Sequence, residues 1–396
     1  MSDAPRYRPA TVAVHAPAVL PPVGAAGERA VVPPLYQNLA WQVDDAAAND
    51  AVAEGQGYFY QRYGAPNADG AAAAVALLEG AEAGMCFASG MAALSAVLTT
   101  WVRPGRALVT VRGIYGGTVG LVAEMAERAG IEVRWADTPR PEAIAPLLDG
   151  AALVHVETLS NPLLRVADLD GLGALCESRG VPLSVDATFT TPILSRPLGR
   201  GATLTIHSAS KYLGGHGDVC AGVVCGARAE VERLVPVLKL HGATLDPFAA
   251  WLLGRGLRTL EVRMRRQVEN AGRVAASLAA HPSVARVHYP GLASHPDRAL
   301  AAAQLDGFGA MVSFEVRDAG DPAAAAHRVY DRLRLVGRVA SLGDVASTVM
   351  HPPSSSHRAM PKAERERAGI RDGLLRVSVG IEDAEDLIAD LAQALD

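Results

Sequence analysis

The sequence predicts an α/β protein whose large domain is built on a mostly parallel sheet and is followed by a smaller α+β C-terminal domain. Three observations lead there. From about residue 70 onward, short apolar runs alternate with alanine-rich stretches of helical period. These runs stop at glycines and small polar residues, as strands entering loops do. Past residue 256 the alternation gives way to a long helical pattern and then to strands separated by helices.

Taken in order, residues 1–60 are rich in proline and alanine, are interrupted at "VVPPLYQ", and hold no sustained period. An extended arm is expected there rather than a compact domain. The large domain, 61–256, reads as "MCFA" then "GMAALSAVLTTWV", "ALVTV" then "GTVGLVAEMAERAG", "ALVHV" then "DLDGLGALCESRG", followed by "PLSVD" and "TLTIHS". Sheets of this kind bind ligands in the loops at the carboxyl ends of their strands. The third region, 257–396, is introduced by "GRGLRTLEVRMRRQVENAGRVAASLAAH" and carries the strand-like "MVSFEV" and "LLRVSVG". The "AAAA" tracts at 71–74 and 323–326 are helix formers, not linkers.

Composition removes several function classes. A formal net charge of −5 over 396 residues supplies no basic field, and no lysine- or arginine-rich run marks a nucleic-acid partner. The opening residues lack a charged n-region followed by an apolar h-region, and no apolar run reaches the roughly 18 residues that span a bilayer. A cytoplasmic protein with no membrane partner is expected. Four cysteines without CxxC spacing and 11 histidines without an HExxH pattern predict neither a disulfide framework nor a metal site.

One choice of residue stands out. Of 37 lysines and arginines, only Lys211, Lys239 and Lys362 are lysine. A lysine amine can lose its proton and act as a nucleophile, whereas a guanidinium stays charged. Lys211, within "TIHSASKYLGGHGD", is therefore a candidate for covalent chemistry, the alternative being a solvated loop cation.

The other strand ends carry matching groups. Ser89-Gly90-Met91 opens a helix and offers either an anion site or an ordinary cap. Tyr115 precedes a glycine pair and either stacks on a planar ring or fills a turn. Glu157 ends a strand, and Asn161 begins an Asn-Pro turn. Asp186 ends another strand, placed to pair with a protonated ring nitrogen or to cap the next turn. Ser208 and Ser210 flank Lys211 with hydroxyls suited to phosphate oxygens. One cofactor uses all of these: pyridoxal phosphate, with Lys211 as its Schiff-base lysine, Asp186 at the pyridine nitrogen, Tyr115 on the ring and the Ser/Gly groups on the phosphate. The dinucleotide GxGxxG and the GxxxxGK[ST] loop are both missing.

With these stretches on the page, the chain resembles the Cys/Met-metabolism group of pyridoxal-phosphate enzymes, which includes cystathionine γ-synthase, cystathionine γ-lyase, methionine γ-lyase and the O-acetylhomoserine sulfhydrylases. The likeness runs from "TVAVHA" to "LLRVSVGIEDAEDL", and "HSASKYLGGHGDV" is similar to the lysine signature of that group. The resemblance implies a fold-type-I homotetramer of close dimers, with the arm contacting the neighbouring subunit. It implies that Tyr60 and Arg62 of "YQRYG" reach the neighbour's cofactor phosphate. It places Gly90, Met91, Ser208 and Ser210 at the phosphate, Tyr115 as stacking ring and acid/base phenol, Asp186 at the pyridine and Asn161 at the ring hydroxyl. Arg376 of "LLRVSVG", helped by Ser341 of "ASLGD", matches the grip on the substrate α-carboxylate.

The implied reaction is γ-elimination or γ-replacement on a γ-substituted L-amino acid, with Lys211 as the base that removes the α-proton. Departures from the group's pattern fall around the substrate: "VDATF" has Ala187, "YGAPN" has Ala65 and Asn67, Gly117 stands where methionine γ-lyases tend to carry cysteine, and Ala340 stands where cystathionine enzymes favour glutamate. Ala340 predicts an apolar site for a non-cationic side chain. Two alternatives accompany this reading. One is a specialised biosynthetic enzyme with a non-sulfur leaving group such as halide. The other is a catalytically silent scaffold, which would not need Lys211, Asp186, Tyr115 and Arg376.

Overall fold

The computed structural model describes residues 7–16, 30–318 and 320–396, so residues 1–6 and 17–29 of the expected arm lie outside the described residues. The strands are β1 (Ala83–Phe87), β2 (Ala107–Val111), β3 (Glu132–Ala136), β4 (Ala151–Glu157), β5 (Leu183–Asp186), β6 (Leu204–His207), β7 (Gly222–Gly226), β8 (Val284–His288), β9 (Met311–Val316), β10 (Gly337–Arg338), β11 (Thr348–Met350) and β12 (Leu374–Ser378). The α/β class is as expected. The described chain falls into two compact units, Met1–Thr100 with Thr203–Glu261 and Trp101–Ala202 with Val262–Asp396.

In the first unit β7 pairs antiparallel with both β1 and β6. The "MCFA" run thus sits in an antiparallel ladder, and its partner "GVVCG" is a strand that the sequence did not announce. Gly222 opens β7 because a Cβ there would lie 2.2 Å from the carbonyl oxygen of Ser89. Helix Pro66–Glu79 begins with Pro66 in its first turn, where a missing N–H costs nothing, and ends at Gly80 with a left-handed φ of 72°. Helix Pro247–Leu257 packs against it. Asn67, one of the departures noted above, is buried; its Oδ1 accepts from Tyr36 N–H (2.9 Å) and its Nδ2 donates to Pro34 O (2.8 Å). Trp251 Nε1 donates to Pro33 O (2.9 Å). Residues 33–36 of the arm are tied to these two helices.

The long helical pattern divides at Arg258 and Thr259 into Pro247–Leu257 and Leu260–Ala280. Thr259 Oγ1 donates back to Gly256 O (3.3 Å), a local bond that competes with the helix ladder. Gly256 also approaches the Lys211 loop so closely that a Cβ would meet Gly214 O at 2.2 Å.

In the second unit β5, β4, β2 and β3 form a parallel array in that order. Every residue of β2 and β4 is buried, as strands covered on both faces must be. Val109, Val154, Val156, Leu169, Leu172 and Val185 belong to one core. A further sheet runs β10-β11-β12-β9-β8, antiparallel apart from β10 with β11. Its core joins Val312 and Phe314 to Val274 and Leu278, to Val329, and to Leu387 and Leu391.

Asp297 knots this unit together. Its carboxylate is 2% exposed, is ion-paired with Arg140 and with Arg165 (2.6 Å), and accepts from Val166 N–H (3.1 Å). Burial alone would raise its pKa, but these partners outweigh burial and hold it below the ordinary carboxylate value. A depressed value contributes stability above the unfolded carboxylate range, lost as pH falls through the native value. Asp297→Asn is expected to cost about 3 kcal/mol of unfolding free energy near neutral pH. In urea unfolding followed by circular dichroism, the gap between the two proteins should close as pH drops below about 4.

Candidate active site

The first unit carries the lysine and the phosphate candidates. Lys211 follows β6 in a turn whose backbone is fully used: its N–H donates to Ser208 O (3.1 Å) and its carbonyl accepts from Gly215 N–H (2.7 Å). Gly215 has a φ of 74°, a conformation that favours glycine. Ser208 lies directly against Gly90, where a Cβ would come within 2.6 Å of Ser208 Cβ and 2.8 Å of its Cα. Glycine at 90 therefore lets the start of helix Gly90–Trp101 sit beside the Lys211 loop. Met91 follows in its first turn.

Ser89 Oγ accepts from Ala92 N–H (3.1 Å), so its hydroxyl caps the helix. Ser210 Oγ accepts from Ala221 N–H (2.9 Å) and donates to Ala221 O (3.2 Å). The first-turn N–H groups at a helix start, with a glycine allowing close approach, form a cradle that suits a phosphate. Tyr60 and Arg62 make their contacts elsewhere in the unit. Arg62 Nη1 donates to Lys239 O (2.6 Å), and its guanidinium lies 4.8 Å from the Tyr63 ring centroid and 5.8 Å from that of Tyr60.

The second unit brings Tyr115, Asn161 and Arg376 into one hydrogen-bonded frame. Tyr115 precedes helix Gly116–Ala129 with its side chain exposed. Its N–H donates to Glu157 Oε1 (2.8 Å), and Asn161 N–H donates to Glu157 Oε2 (3.0 Å). Arg376, buried on β12, donates from Nη1 to Asn161 Oδ1 (2.7 Å) and from Nη2 to Ser341 O (3.5 Å). Ser341 thus meets Arg376 through its carbonyl. Asp186 closes β5 in register with Glu157, and its Oδ1 accepts from Thr188 N–H (2.8 Å), the capping alternative of the sequence reading.

Glu157 was visible in the sequence only as a strand end. Burial pushes its pKa well above the ordinary value, and the nearby Asp186 charge adds to this; the two N–H donors and Arg376 offset part. His155, two residues earlier and so on the same face of β4, is pushed down to about 4 by burial against the opposing pull of Asp186. His357 was missed altogether. It is buried and pushed down to about 4, first by burial and also by the Arg376 charge. The neutral ring donates from Nε2 to Ile114 O (3.2 Å). Its segment presses on the Tyr115 helix so tightly that a Cβ at Gly116 would stand 1.8 Å from Ser356 O. A histidine closing the "HPPSSSH" run was the available sign.

Ala187 is fully buried. Ala340 lines a cavity of about 320 Å³ together with the apolar Met350, the ring of Tyr330 and the polar His327, Asp331, His351, Ser354 and Ser355.

An amine, a helix-start cradle, an aromatic ring, a carboxylate and a buried guanidinium are the donor set that pyridoxal phosphate and an amino acid require. The comparisons point to the same cofactor. Residues 10–396 match the family model described as Cys/Met metabolism PLP-dependent enzyme. The L-methionine gamma-lyase of Pseudomonas putida is 39% identical over 371 residues, covering 92% of each chain. The crystal structure of cystathionine gamma synthase from Xanthomonas oryzae pv. oryzae, in complex with aminoacrylate and cysteine, superposes with a TM-score of 0.92 at 40% identity, over 99% of this chain and 98% of that one. A structure of a putative O-acetylhomoserine (thiol)-lyase from Campylobacter jejuni, carrying N'-pyridoxyl-lysine-5'-monophosphate, gives a TM-score of 0.92 at 30% identity, over 98% of this chain and 100% of that one.

A raised carboxyl value has a signed consequence. The unfolded glutamate ionises first, so stability falls with pH from about 4.5 up to the native value of Glu157. In Glu157→Gln that part of the slope should disappear, while one N–H facing the new amide costs about 1–3 kcal/mol. Thermal unfolding of both proteins between pH 5 and 8 tests this, and parallel slopes would show that Glu157 does not titrate as described.

Proposed function

This chain belongs to the Cys/Met-metabolism family of pyridoxal-phosphate-dependent enzymes, and from that premise we propose that it catalyses γ-elimination or γ-replacement on a γ-substituted L-amino acid. The observation carrying the reading is the frame in which Glu157 holds Tyr115 and Asn161 while Asn161 accepts from Arg376. It ties the backbone that carries the Tyr115 phenol to a guanidinium suited to a carboxylate. When bound, pyridoxal phosphate holds the substrate amino group and draws electron density from Cα.

The roles follow. When the cofactor is bound, the helix-start N–H groups of Gly90 and Met91 with Ser208, and Ser210 once its hydroxyl turns from Ala221, would hold the phosphate, Asp186 would serve the pyridine nitrogen, Asn161 the ring hydroxyl, and Tyr115 the stacking ring. Arg376 binds the substrate α-carboxylate as a bidentate partner. The Lys211 amine would take the Cα proton and, after releasing it, a second proton from Cβ. The Tyr115 phenol hands a proton to the departing γ-group. Water then completes elimination to a 2-oxo acid and ammonia, or a nucleophile adds at Cγ to complete replacement. Ala340, standing where a glutamate would meet a distal ammonium group, favours a non-cationic side chain such as that of an O-acylhomoserine or L-methionine.

We further propose a homotetramer in which Tyr60 and Arg62 serve a neighbouring subunit's phosphate. Val31, Leu39, Leu240 and Phe248, which are 79%, 59%, 81% and 51% exposed, suit burial between subunits. Among the described residues no helix is long and apolar enough to cross a membrane; a cytoplasmic location is inferred.

Lys211→Ala should remain folded, lose the visible absorption of the bound cofactor and lose turnover by about 10³-fold or more; retained turnover would overturn the assignment. Arg376→Lys should raise KM for the amino acid about tenfold to a hundredfold, because a lysine cannot bind bidentately. Both are read by assaying 2-oxo acid from L-methionine, O-acetyl-L-homoserine and L-cystathionine. Light scattering after gel filtration should give the mass of four chains.

A further inference from the structure

The second unit holds another cleft, whose lining meets the frame described above only at Glu157. Its volume is about 700 Å³, in the range of small-molecule sites. Five arginines line it, Arg112, Arg165, Arg286, Arg367 and Arg371. Three have acidic partners: Arg112 with Asp137 (3.2 Å), Arg165 with Asp297 (2.6 Å) and Arg371 with Glu315 (3.5 Å). Glu315 is also hydrogen-bonded to His288 Nε2 (2.8 Å). Arg367 lines the cleft without an ion pair among the described residues, and Arg286, which makes none either, stands opposite Glu315 across β8 and β9 and shares that carboxylate's field with Arg371. The acidic lining residues are Asp137, Glu157 and Glu315. Positive charge is therefore in excess here, in a chain whose net charge is −5.

Guanidinium groups converging on a concave wall are suited to planar oxyanions, which they bind bidentately. Trp135 supplies an apolar surface on the same wall, with the Arg112 guanidinium 5.9 Å from its ring centroid. Glu157 forms part of the lining as well, so an occupant is separated from the backbone of Tyr115 and Asn161 by a single carboxyl group. We propose that this cleft is a second binding site, for a small organic anion with two or more negative charges borne on phosphate or carboxylate groups. It goes beyond the reaction proposed above and does not depend on it.

The test is calorimetric titration of the holoenzyme, saturated with pyridoxal phosphate and free of amino acid, with pyrophosphate and separately with citrate. At least one should bind once per chain at submillimolar concentration, and binding should weaken as salt is added. Tighter pyrophosphate would identify a phosphate ligand, and tighter citrate a carboxylate one. The double variant Arg286→Ala/Arg367→Ala should weaken binding about tenfold or more with turnover of the amino-acid substrate unchanged. The single variant Arg286→Glu serves if the double variant does not fold, with the same loss expected. Absence of binding by both anions, or equal binding by wild type and variant, would overturn the proposal. Because the readout is binding without substrate, failure of the proposed reaction would leave this result intact, and the reverse holds too.

Discussion

Much of the second unit's chemistry depends on one buried carboxyl group. Glu157 uses both oxygens on main-chain N–H groups, one at the head of the Tyr115 helix and the other at Asn161. In a low-dielectric interior each of those donors would be expensive to leave unmet. Asp186 ends the adjacent strand in register, so a second negative charge on Glu157 is doubly disfavoured, by burial and by its neighbour. The backbone frame is thereby held by a group with little tendency to ionise. The arginine that completes the frame reaches it through a neutral amide oxygen rather than through a carboxylate.

The first unit solves a different problem with different means. Its candidate residues are positioned by the absence of side chains. Gly90 admits Ser208, Gly222 admits the carbonyl of Ser89, and Gly256 admits the carbonyl of Gly214. Each close approach joins two segments that a single methyl group would push apart, and those at Gly90 and Gly256 bring backbone to the Lys211 loop. Hydroxyls near the lysine are meanwhile committed to local backbone, Ser89 to its helix and Ser210 to Ala221. Further polar capacity lies in the N–H groups at the start of the helix, where the helix dipole already favours an anion.

The α/β class could be read from sequence because alternating apolar runs and alanine-rich helices are local signals. Lys211 could be read because the chain otherwise avoids lysine. β7 could not: "GVVCG" is short, glycine-bounded and identified as a strand only by its pairing with β1 and β6. Glu157 could be seen as a strand end but not as a frame, since its partner at Tyr115 lies 42 residues away in sequence. The Arg376 to Asn161 bond spans 215 residues. His357 belongs to a loop without period, where composition says nothing of what the ring will touch. What stayed hidden was which distant groups meet.

The contact between Gly116 and Ser356 bears on how such a protein can be rebuilt. The segment around Ser356 rests on the backbone of the Tyr115 helix with no room for a methyl group, so the shape of each segment constrains the other. Grafting residues 352–360 from a relative, a natural way to alter selectivity, will fail wherever the donor's helix start does not match. A chimera must exchange both ends together, and a recombination library with a crossover between them should be depleted of functional members.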